Sequence, residues 1–392
     1  MVLDLGAIVK FGRGIGGAAA IMGMGCIAAA GWPAATANAA PAGCSYYQHS
    51  VNVEYFDSCP SQQISHLMMA TSANQLVSGV HDAVKNQLGP DANGGMGGPL
   101  GFAPTAAERR YPEGSWLSYV QEGRAADFSA VPVQRMWNVW IDANVSHTDR
   151  DDPIFGHDGY LATSSIGIDR RFGDRLALGV FANVEGSDYS LSFSDGSLES
   201  FGGGVGVYGG FSITPRLILD ALAMWKAFDN DIDGFGGSSA SYDSDRWVLA
   251  ANLTGYYDFG AWRVSPQAGV IWSREDQDGY TLEPIGIPVS DDEKSHLVLK
   301  AGSQLEYTYF GADGRSFSPF ASAFVEWNDF DYSPDGPALL RDDLDGFDLR
   351  LGLGFNARIA ENVLLTVKSD FTGFLRDDYF VATGGGQLSV QF

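Results

Sequence analysis

The chain has 392 residues, of which 45% are hydrophobic and 18% are charged, and this composition excludes a wholly disordered protein. The 24 basic and 48 acidic residues give a net charge of -24, which argues against a nucleic-acid-binding protein because neutralising phosphates requires clustered lysine and arginine. The 50 glycines and the 12% of aromatic residues favour a β-rich protein.

Residues 1–39 have the layout of a secretory signal peptide. Lys10 and Arg13 form a basic start, and Ile15 to Ala30 form an apolar segment rich in alanine and glycine. The triplet Ala37-Asn38-Ala39 offers a small-residue cleavage site. We therefore expect cleavage after Ala39 and export of the chain, with an uncleaved membrane anchor as the alternative.

Three cysteines are present, and Cys26 lies within the expected signal peptide. The residues before Cys26 match a lipobox poorly, so we do not expect lipidation there. Cys44 and Cys59 remain in the exported chain and are a disulfide candidate, worth roughly 3 kcal/mol of stability in the chain-entropy model. Two free thiols are the alternative.

Residues 40–133 form a short N-terminal region unlike the sequence that follows. Gln62 to Leu88 carries apolar residues at helix-like spacing, and Gly89-Pro90 ends the expected helix, which at ~1.5 Å per residue reaches about 40 Å. Residues 91–99 indicate a flexible linker rich in glycine and proline. The pattern from Trp116 to Gln134 is too irregular to assign.

Residues 134–392 consist of alternating segments separated by polar turns. In the first, from Trp137 to Ser146, one face is apolar and the opposite face consists of Asn138, Trp140, Asp142, Asn144 and Ser146, which predicts a strand with two different faces. Seven further segments of this kind, and four weaker ones near 160–172, 201–213, 216–228 and 317–328, predict about twelve antiparallel strands. Short turns at 173–174, 214–215, 258–260, 311–315 and 360–362 alternate with longer acidic connections at 147–158, 186–199, 229–243, 274–294 and 329–345.

The polar face of these strands distinguishes a membrane barrel from a soluble β-sandwich or a lipocalin-like barrel. It carries charge in strand after strand, which a closed core accommodates only at high cost and a water-filled lumen accepts. The charged residues are Asp142, Glu185, Asp220, Lys226, Arg263, Lys300, Glu306, Glu326, Arg350, Lys368 and Asp370. On the apolar face, aromatic residues near the strand ends predict interfacial girdles, with Trp137, Trp225, Trp262, Trp272, Tyr309, Phe317 and Trp327 as members. The predicted fold is all-β, a transmembrane antiparallel β-barrel of about 12 strands preceded by a short helical N-terminal region.

Three segments and the last residue make residues 134–392 resemble the autotransporter β-domain. They are Phe259 to Pro266, Arg274 to Gln277 and Phe317 to Phe320, together with Phe392. The resemblance implies a twelve-stranded outer-membrane barrel of type V secretion in a Gram-negative bacterium. The helix before the Gly-rich linker, Gln75 included, resembles segments that precede such domains in alphaproteobacterial proteins.

The same resemblance implies roles for two parts of the chain. The last strand, Tyr379 to Phe392, resembles the signal read by the barrel assembly machinery, with Leu388, Val390 and Phe392 at the alternate positions. A helical segment ahead of the first strand, here Gln62–Leu88 or Trp116–Gln134, would cross the lumen as a plug. Residues 40–133 are too few for a β-helix passenger or a protease domain, so we do not expect secretion of a separate effector.

Two short motifs in the alternating region look like ligand sites. Gly204 to Gly209 matches G-x-G-x-x-G, but it lies inside a strand with no following helix, so we interpret it as small residues lining a crowded wall. Asp229 to Gly234 copies the start of a calcium loop, but its twelfth position is Ala240 rather than glutamate. A solvated acidic loop is the preferred interpretation and a loose divalent-cation site the alternative; we expect no metal and no other cofactor.

The histidines of the alternating region are His147, His157 and His296. His147 and His157 flank Asp149, Asp151 and Asp152 in one expected loop, which permits an Asp/His pair that activates water. Nothing in the spacing fixes their geometry, so we expect loop residues and no enzymatic activity.

Three functions remain open from the sequence. The first is an outer-membrane barrel with a structural or surface-interaction role, whose N-terminal segment plugs the lumen or is displayed outside. The second is a passive pore for small solutes, and the third is an outer-membrane hydrolase. We expect location in the cell outer membrane and contact with its lipid and lipopolysaccharide and with the assembly machinery. A host or surface ligand is an open alternative, and no nucleic acid is expected.

Overall fold

The computed structural model describes residues 54–89, 136–151, 156–192, 196–234, 237–284, 286–289, 291–310, 315–332, 345–376 and 379–392. These residues form one helix, α1 (Glu54–Leu88), and twelve long strands. The strands are β1 (Trp137–Arg150), β2 (His157–Phe172), β3 (Leu176–Leu191), β4 (Gly196–Thr214), β5 (Leu217–Asp233), β6 (Ser239–Gly255), β7 (Trp262–Gln277), β8 (Asp292–Tyr307), β9 (Ser316–Tyr332), β10 (Gly346–Ala360), β11 (Val363–Thr372) and β12 (Tyr379–Gln391).

The twelve strands close into an antiparallel barrel. Each strand pairs with its neighbours in sequence, and β12 returns to pair with β1 from Asn138↔Gln391 to Arg150↔Tyr379. Closure leaves no open sheet edge, which is the condition for a sheet to cross a lipid bilayer. The prediction of a closed barrel of about twelve strands is confirmed.

The remaining strands are short. Tyr257–Phe259 extends the wall beside β7, and Tyr309–Phe310 does so beside β9. Tyr280–Leu282 and Ile287–Val289 pair with each other as a small hairpin in the connection from β7 to β8. Among the described residues, no helix combines the length and the apolar character needed to cross a membrane.

Alternation along each strand separates an outward face from a lumen face, as the sequence predicts. In β1, Ile141 and Val145 are 49% and 51% exposed, whereas their neighbours Asp142 and Asn144 are each 2% exposed. Strand residues point alternately to the two faces of a sheet. A sequence in which apolar and polar residues alternate with a period of two residues therefore gives an apolar outer surface and a polar inner surface.

Aromatic side chains on the outer surface form two bands. Trp262 and Trp272 both lie on the outward face of β7, ten positions apart. At about 3.3 Å per residue and a tilt of about 40°, this spacing corresponds to a height of about 25 Å, which is the height of the apolar band of outer-membrane barrels. The band near the short turns also contains Trp137, Phe317 and Tyr309. The band near the long connections also contains Trp225 and Trp327.

The long acidic connections are shorter than predicted. β3 and β4 remain paired up to Leu191↔Gly196, and β5 and β6 remain paired up to Asp233↔Ser239. The expected loops at 186–199 and 229–243 are therefore mostly strand. The prediction of loops there is wrong, because the acidic residues occupy the exposed face of strands that extend beyond the aromatic band.

Helix α1 runs inside the barrel. It begins eight residues before the predicted Gln62 and ends at the predicted Leu88, where Gly89 N–H donates to the carbonyl oxygen of Lys85 at 2.7 Å. Its Leu67 packs with Phe330 near the long connections, and its Leu88 lies beside Gly210 near the short turns. The helix is therefore directed from the rim of long connections to the rim of short turns.

Candidate functional site: the helix in the barrel lumen

One side of α1 packs on an apolar part of the barrel wall. Leu76, Val80 and Val84 of the helix belong to one buried cluster with Trp140, Phe181 and Tyr208. Wall residues Ile218, Leu222, Met224, Val248 and Ile271 complete that part of the cluster. These apolar residues lie on the lumen face, which the sequence predicts to be polar. They are shielded from water in the lumen because the helix covers them.

The aromatic residues of this cluster are fixed by hydrogen bonds. The indole Nε1 of Trp140 donates to the hydroxyl of Tyr208 at 2.6 Å, and that hydroxyl donates to Asp169 Oδ2 at 2.5 Å. The Trp140 and Tyr208 rings meet edge to face, with centroids 6.0 Å apart. Buried Trp and Tyr are favourable when their polar atoms have partners, so this chain joins β1, β4 and β2 beneath the helix.

Glycine allows the helix to approach the wall closely. A Cβ atom on Gly210 of β4 would lie 2.3 Å from Cγ1 of Val84, and one on helix residue Gly79 would lie 3.1 Å from Oδ1 of Asp142. Within the predicted wall motif at 204–209, a Cβ on Gly206 would lie 2.5 Å from the Phe181 ring. The motif is part of β4, as expected, and its glycines make room for neighbouring wall atoms rather than for a dinucleotide.

Nearer the start of the helix, four buried charged residues form a network on the wall. Lys226 Nζ lies 2.7 Å from Oε2 of Glu185, and Arg246 NH1 lies 3.0 Å from Oε1 of the same carboxylate. Arg246 NH2 also lies 2.6 Å from Oε2 of Glu275. The four side chains come from β3, β5, β6 and β7, and none is more than 3% exposed. Two cations and two anions therefore neutralise one another inside the barrel.

Helix α1 is hydrogen-bonded to this network through two serines. The Ser72 hydroxyl donates to Glu185 and accepts from Lys226 Nζ at 2.9 Å. The Ser65 hydroxyl donates to Glu275 Oε1 at 3.1 Å. Because Ser65 and Ser72 are two helical turns apart, the two contacts fix both the rotation and the axial position of the helix.

Polar contacts continue on other sides of the helix. Gln75 donates through Nε2 to Ser146 Oγ and accepts at Oε1 from Thr163 Oγ1, each at 2.6 Å. Lys368 Nζ lies 2.8 Å from Oδ2 of Asp82, and Gln387 Nε2 donates to the Gly79 carbonyl oxygen at 2.7 Å. Further contacts join His81 to Asp220, Lys85 to Glu306 and Gln391 to Asn86.

The helix does not fill the lumen. On the side of β6 to β12, a cavity with about 1430 Å³ of empty space, including the part open to solvent, separates the helix from the wall. Ser78 and Asp82 line it from the helix, and Lys300, Arg350 and Asp370 line it from the wall. Arg350 Nε is bonded to Glu326 at 2.8 Å. Lys300, on the wall of this cavity, has no hydrogen bond or ion pair within the described part of the chain.

The hairpin between β7 and β8 packs against the first half of the helix. Its Leu282 is 0% exposed and belongs to a cluster with helix residue Met68 and with Leu161, Leu191 and Tyr242 of the wall. Tyr280 stacks on Tyr242, with ring centroids 4.8 Å apart. The hairpin therefore closes part of the lumen at the rim of long connections.

The histidines that sequence analysis considered for catalysis are not brought together. His147 lies on the outward face of β1, with Nε2 3.4 Å from Oδ2 of Asp158. His157 is 1% exposed and meets the ring of Tyr189 inside the barrel. His296 is also buried and stacks on Phe330. Both ends of the expected loop, residues 147–150 and 157–158, are strand, and the sheet separates the two side chains.

The calcium-like motif also lies in a strand. Asp229, Asp231 and Asp233 are exposed on one face of β5, while Asn230 and Ile232 point inward. Carboxylates on one face of an extended strand do not surround an ion as a loop does. No group of three or more metal-binding side chains is found in the part of the chain that is described.

The residues of the expected assembly signal lie at the barrel seam. Leu388 and Phe392 are 38% and 60% exposed on the outer face of the last strand, and Val390 pairs with Val139. Trp137 and Phe392 exchange two backbone hydrogen bonds, of 3.0 and 2.9 Å. The expected cleavage site at Ala39, Cys44 of the disulfide candidate and the segment 116–134 lie outside the described residues, as does the side chain of Cys59.

The wall residues that contact the helix are recognisable in the sequence, whereas the helix residues are not. The charged wall residues Glu185, Lys226 and Lys368 stand out on the polar face of their strands. Their helix partners, Ser72 for Glu185 and Lys226 and Ser78 for Lys368, do not, because serine has no preference that separates a lumen contact from a solvated position.

Comparison with known proteins identifies relatives of this architecture. The family model described as the autotransporter beta-domain matches residues 139–370. The translocator domain of the autotransporter NalP from Neisseria meningitidis is similar over 70% of this chain and 92% of that chain, with 14% identity and a TM-score of 0.55. No match to a curated protein sequence was found.

Two further solved structures are similar in fold. The beta domain of the Bordetella autotransporter BrkA matches over 66% of this chain and all (100%) of its own, with 17% identity and a TM-score of 0.55. The transport unit of the autotransporter AIDA-I from Escherichia coli matches over 72% of this chain and 100% of its own, with 14% identity and a TM-score of 0.50. At these identities the similarity is one of fold.

Proposed function

Because the chain belongs to the autotransporter β-domain family and carries a β-barrel translocator domain, we propose that it resides in the outer membrane with α1 held in the lumen as a plug. The residues before Glu54 then emerge at the cell surface, where they have a structural or surface-interaction role. The role involves no catalysis, and the partners are membrane lipid, lipopolysaccharide and the barrel assembly machinery, with a surface ligand for the emerging segment.

The direction of the helix is the observation that carries this proposal. Its beginning is near the long connections, where Leu67 packs with Phe330, and its end is near the short turns, where Leu88 meets Gly210. In outer-membrane barrels the long connections face the outside and the short turns face the periplasm. The chain preceding α1 therefore leaves the lumen on the outer side.

A tag inserted after Ser50 tests this topology. We expect the tag to be removed by protease added to intact cells, because the segment before Glu54 lies outside. A matched tag inserted between Gly173 and Asp174, in a short turn, is expected to remain intact until the outer membrane is permeabilised. Protection of the Ser50 tag in intact cells, together with cleavage of the Gly173 tag, would reverse the proposed direction of the barrel.

The last strand is proposed to carry the signal for membrane assembly. Phe392 offers an exposed aromatic ring next to the backbone bonds that close the barrel. We expect Phe392→Ser to leave most of the protein unassembled in the periplasm, because the substitution removes the ring and keeps the backbone pairing. Cell fractionation measures this, with Ser389→Ala on the lumen face of the same strand as control. Equal membrane insertion of both variants would contradict the assignment.

A passive pore for small solutes is the second candidate. The cavity between α1 and the wall of β6 to β12 favours it, because this space is lined by charged and polar side chains that tolerate water. A plug and a pore differ in how far the helix limits ion flow. Conductance measurements therefore distinguish the two functions.

A further inference from the structure

Arginines gather at the rim of short turns. Arg170 lies near the end of β2, Arg175 directly before β3, Arg216 directly before β5 and Arg315 directly before β9. Arg175, Arg216 and Arg315 are exposed and Arg170 is half-exposed. We call these four residues the arginine rim. They lie at three separate turns, with Arg170 and Arg175 on either side of the same one, so their clustering arises from the fold and not from one basic stretch of sequence.

Basic residues outnumber acidic residues at this rim. Among the described residues of this rim, the exposed acids are Asp174 and Glu361. Asp174 lies 3.7 Å from NH2 of Arg171, which is not one of the four. The carboxylate of Asp258 is bonded to Arg263 at 2.7 Å. The rim is therefore locally positive in a chain whose net charge is -24.

The opposite rim has the reverse charge. Exposed acidic residues cover the outer face of the strand ends there, at Asp149, Asp158, Asp188, Glu199, Asp229, Asp231, Asp233, Asp243, Asp245, Asp276, Glu293, Asp329 and Asp331. Arg274, a basic residue of the same surface, is already bonded to Asp276 at 2.9 Å and to Glu293 at 2.8 Å. The two ends of the barrel thus present opposite charge to the two surfaces of a membrane.

The arginine rim lies at the height of an aromatic band. The Arg170 guanidinium is 5.3 Å from the ring centroids of both Trp137 and Phe172, which are 37% and 46% exposed. Phe317, 45% exposed, follows Arg315 by two positions. Aromatic bands of membrane proteins lie at the level of the lipid headgroups. Arginine side chains extend toward that level while their stems cover apolar surface.

We propose that the arginine rim binds the phosphate groups of anionic phospholipids in the leaflet on the side of the short turns, an inference that rests on the proposed membrane position. The planar guanidinium donates two parallel hydrogen bonds to phosphate, which makes arginine well suited to this headgroup. Binding on this side only, with an acidic surface on the other, favours one orientation of the barrel in the membrane.

Native mass spectrometry of the full-length mature protein in neutral detergent tests the proposal, with phosphatidylglycerol as the anionic probe and phosphatidylcholine for comparison. We expect wild type to retain phosphatidylglycerol preferentially. The variant R175Q/R216Q/R315Q loses one arginine at each of three turns, and we expect each of these sites to bind phosphatidylglycerol roughly fivefold more weakly, the factor expected for one arginine near an anionic membrane surface. Arg274→Gln, on the acidic rim, is expected to behave as wild type.

Equal phosphatidylglycerol retention by wild type and the triple variant would overturn the proposal. Complete displacement of the lipid by an equal concentration of inorganic phosphate would also overturn it, because the site would then recognise free phosphate. Each protein is first tested for a folded barrel that requires detergent. A protein that is soluble without detergent would refute the outer-membrane proposal, whereas a folded, detergent-bound barrel without arginine-dependent lipid retention refutes the arginine rim alone.

Discussion

The Lys226→Met variant is expected to lose about 3–5 kcal/mol of unfolding free energy, the usual effect of removing one partner from a buried ion pair. Lys226 is 0% exposed, and its ammonium group is bonded to Glu185 and to Ser72 of the helix. Without it, Glu185 and Glu275 share Arg246 as the one remaining cation of the network. Denaturant unfolding in detergent measures the loss.

Two further variants separate charge imbalance from lost packing. The double variant K226M/E185Q is expected to recover part of the stability, because the remaining Arg246 and Glu275 balance each other. Arg274→Gln removes two exposed ion pairs, to Asp276 and Glu293, and is expected to change stability by less than about 1 kcal/mol. A Lys226→Met effect as small as that of Arg274→Gln would show that the network does not stabilise the fold.

The Trp140→Ala variant is expected to be destabilised by about 3–5 kcal/mol, as is usual when a large buried aromatic side chain is removed. Trp140 is 1% exposed, and its ring covers Gly167 of β2, where a Cβ atom would lie 2.4 Å from ring atom Cε2. Its loss also removes the hydrogen bond to Tyr208. The heat-unfolding midpoint of the folded barrel, followed by its altered migration in gels, measures the effect.

Trp137→Ala is the matched control, because Trp137 is in the same strand but points outward and is 37% exposed. It is expected to cost clearly less, since the side chain remains partly in contact with detergent or lipid. Equal loss in the two variants would contradict a special role of the apolar wall beneath the helix.

The barrel itself is predictable from sequence because the side chains of every strand alternate between its two faces with a period of two residues. The alternation from Trp137 to Ser146 already separates the outer face of β1 from its lumen face, and the repetition of this pattern gives the strand number. The ends of strands are less predictable. Asp229 to Asp233 alternate as a strand does, but their acidity resembles that of a loop, and pairing with β6 decides between the two.

The contacts inside the lumen are not predictable from any one segment of the sequence, because they join residues of several strands. Glu185, Lys226, Arg246 and Glu275 lie on four strands, and their grouping is set by register and closure. The rotation of α1 then determines that Ser72 meets them. Strand pairing also separates His147 from His157, although the two are close in sequence. His157 pairs with Arg150 and points to the same face as Arg150. His147 lies three residues before Arg150 in the same strand and therefore points to the opposite face.

The measurement that tests the proposed plug most directly is single-channel conductance in a planar bilayer, comparing the full-length mature protein with a variant that lacks residues 54–88. With the helix in the lumen, we expect wild type to show a small conductance limited to the cavity beside β6 to β12, and the variant to show a conductance several times larger. Equal, large conductance of both proteins would contradict the plug and favour an open pore.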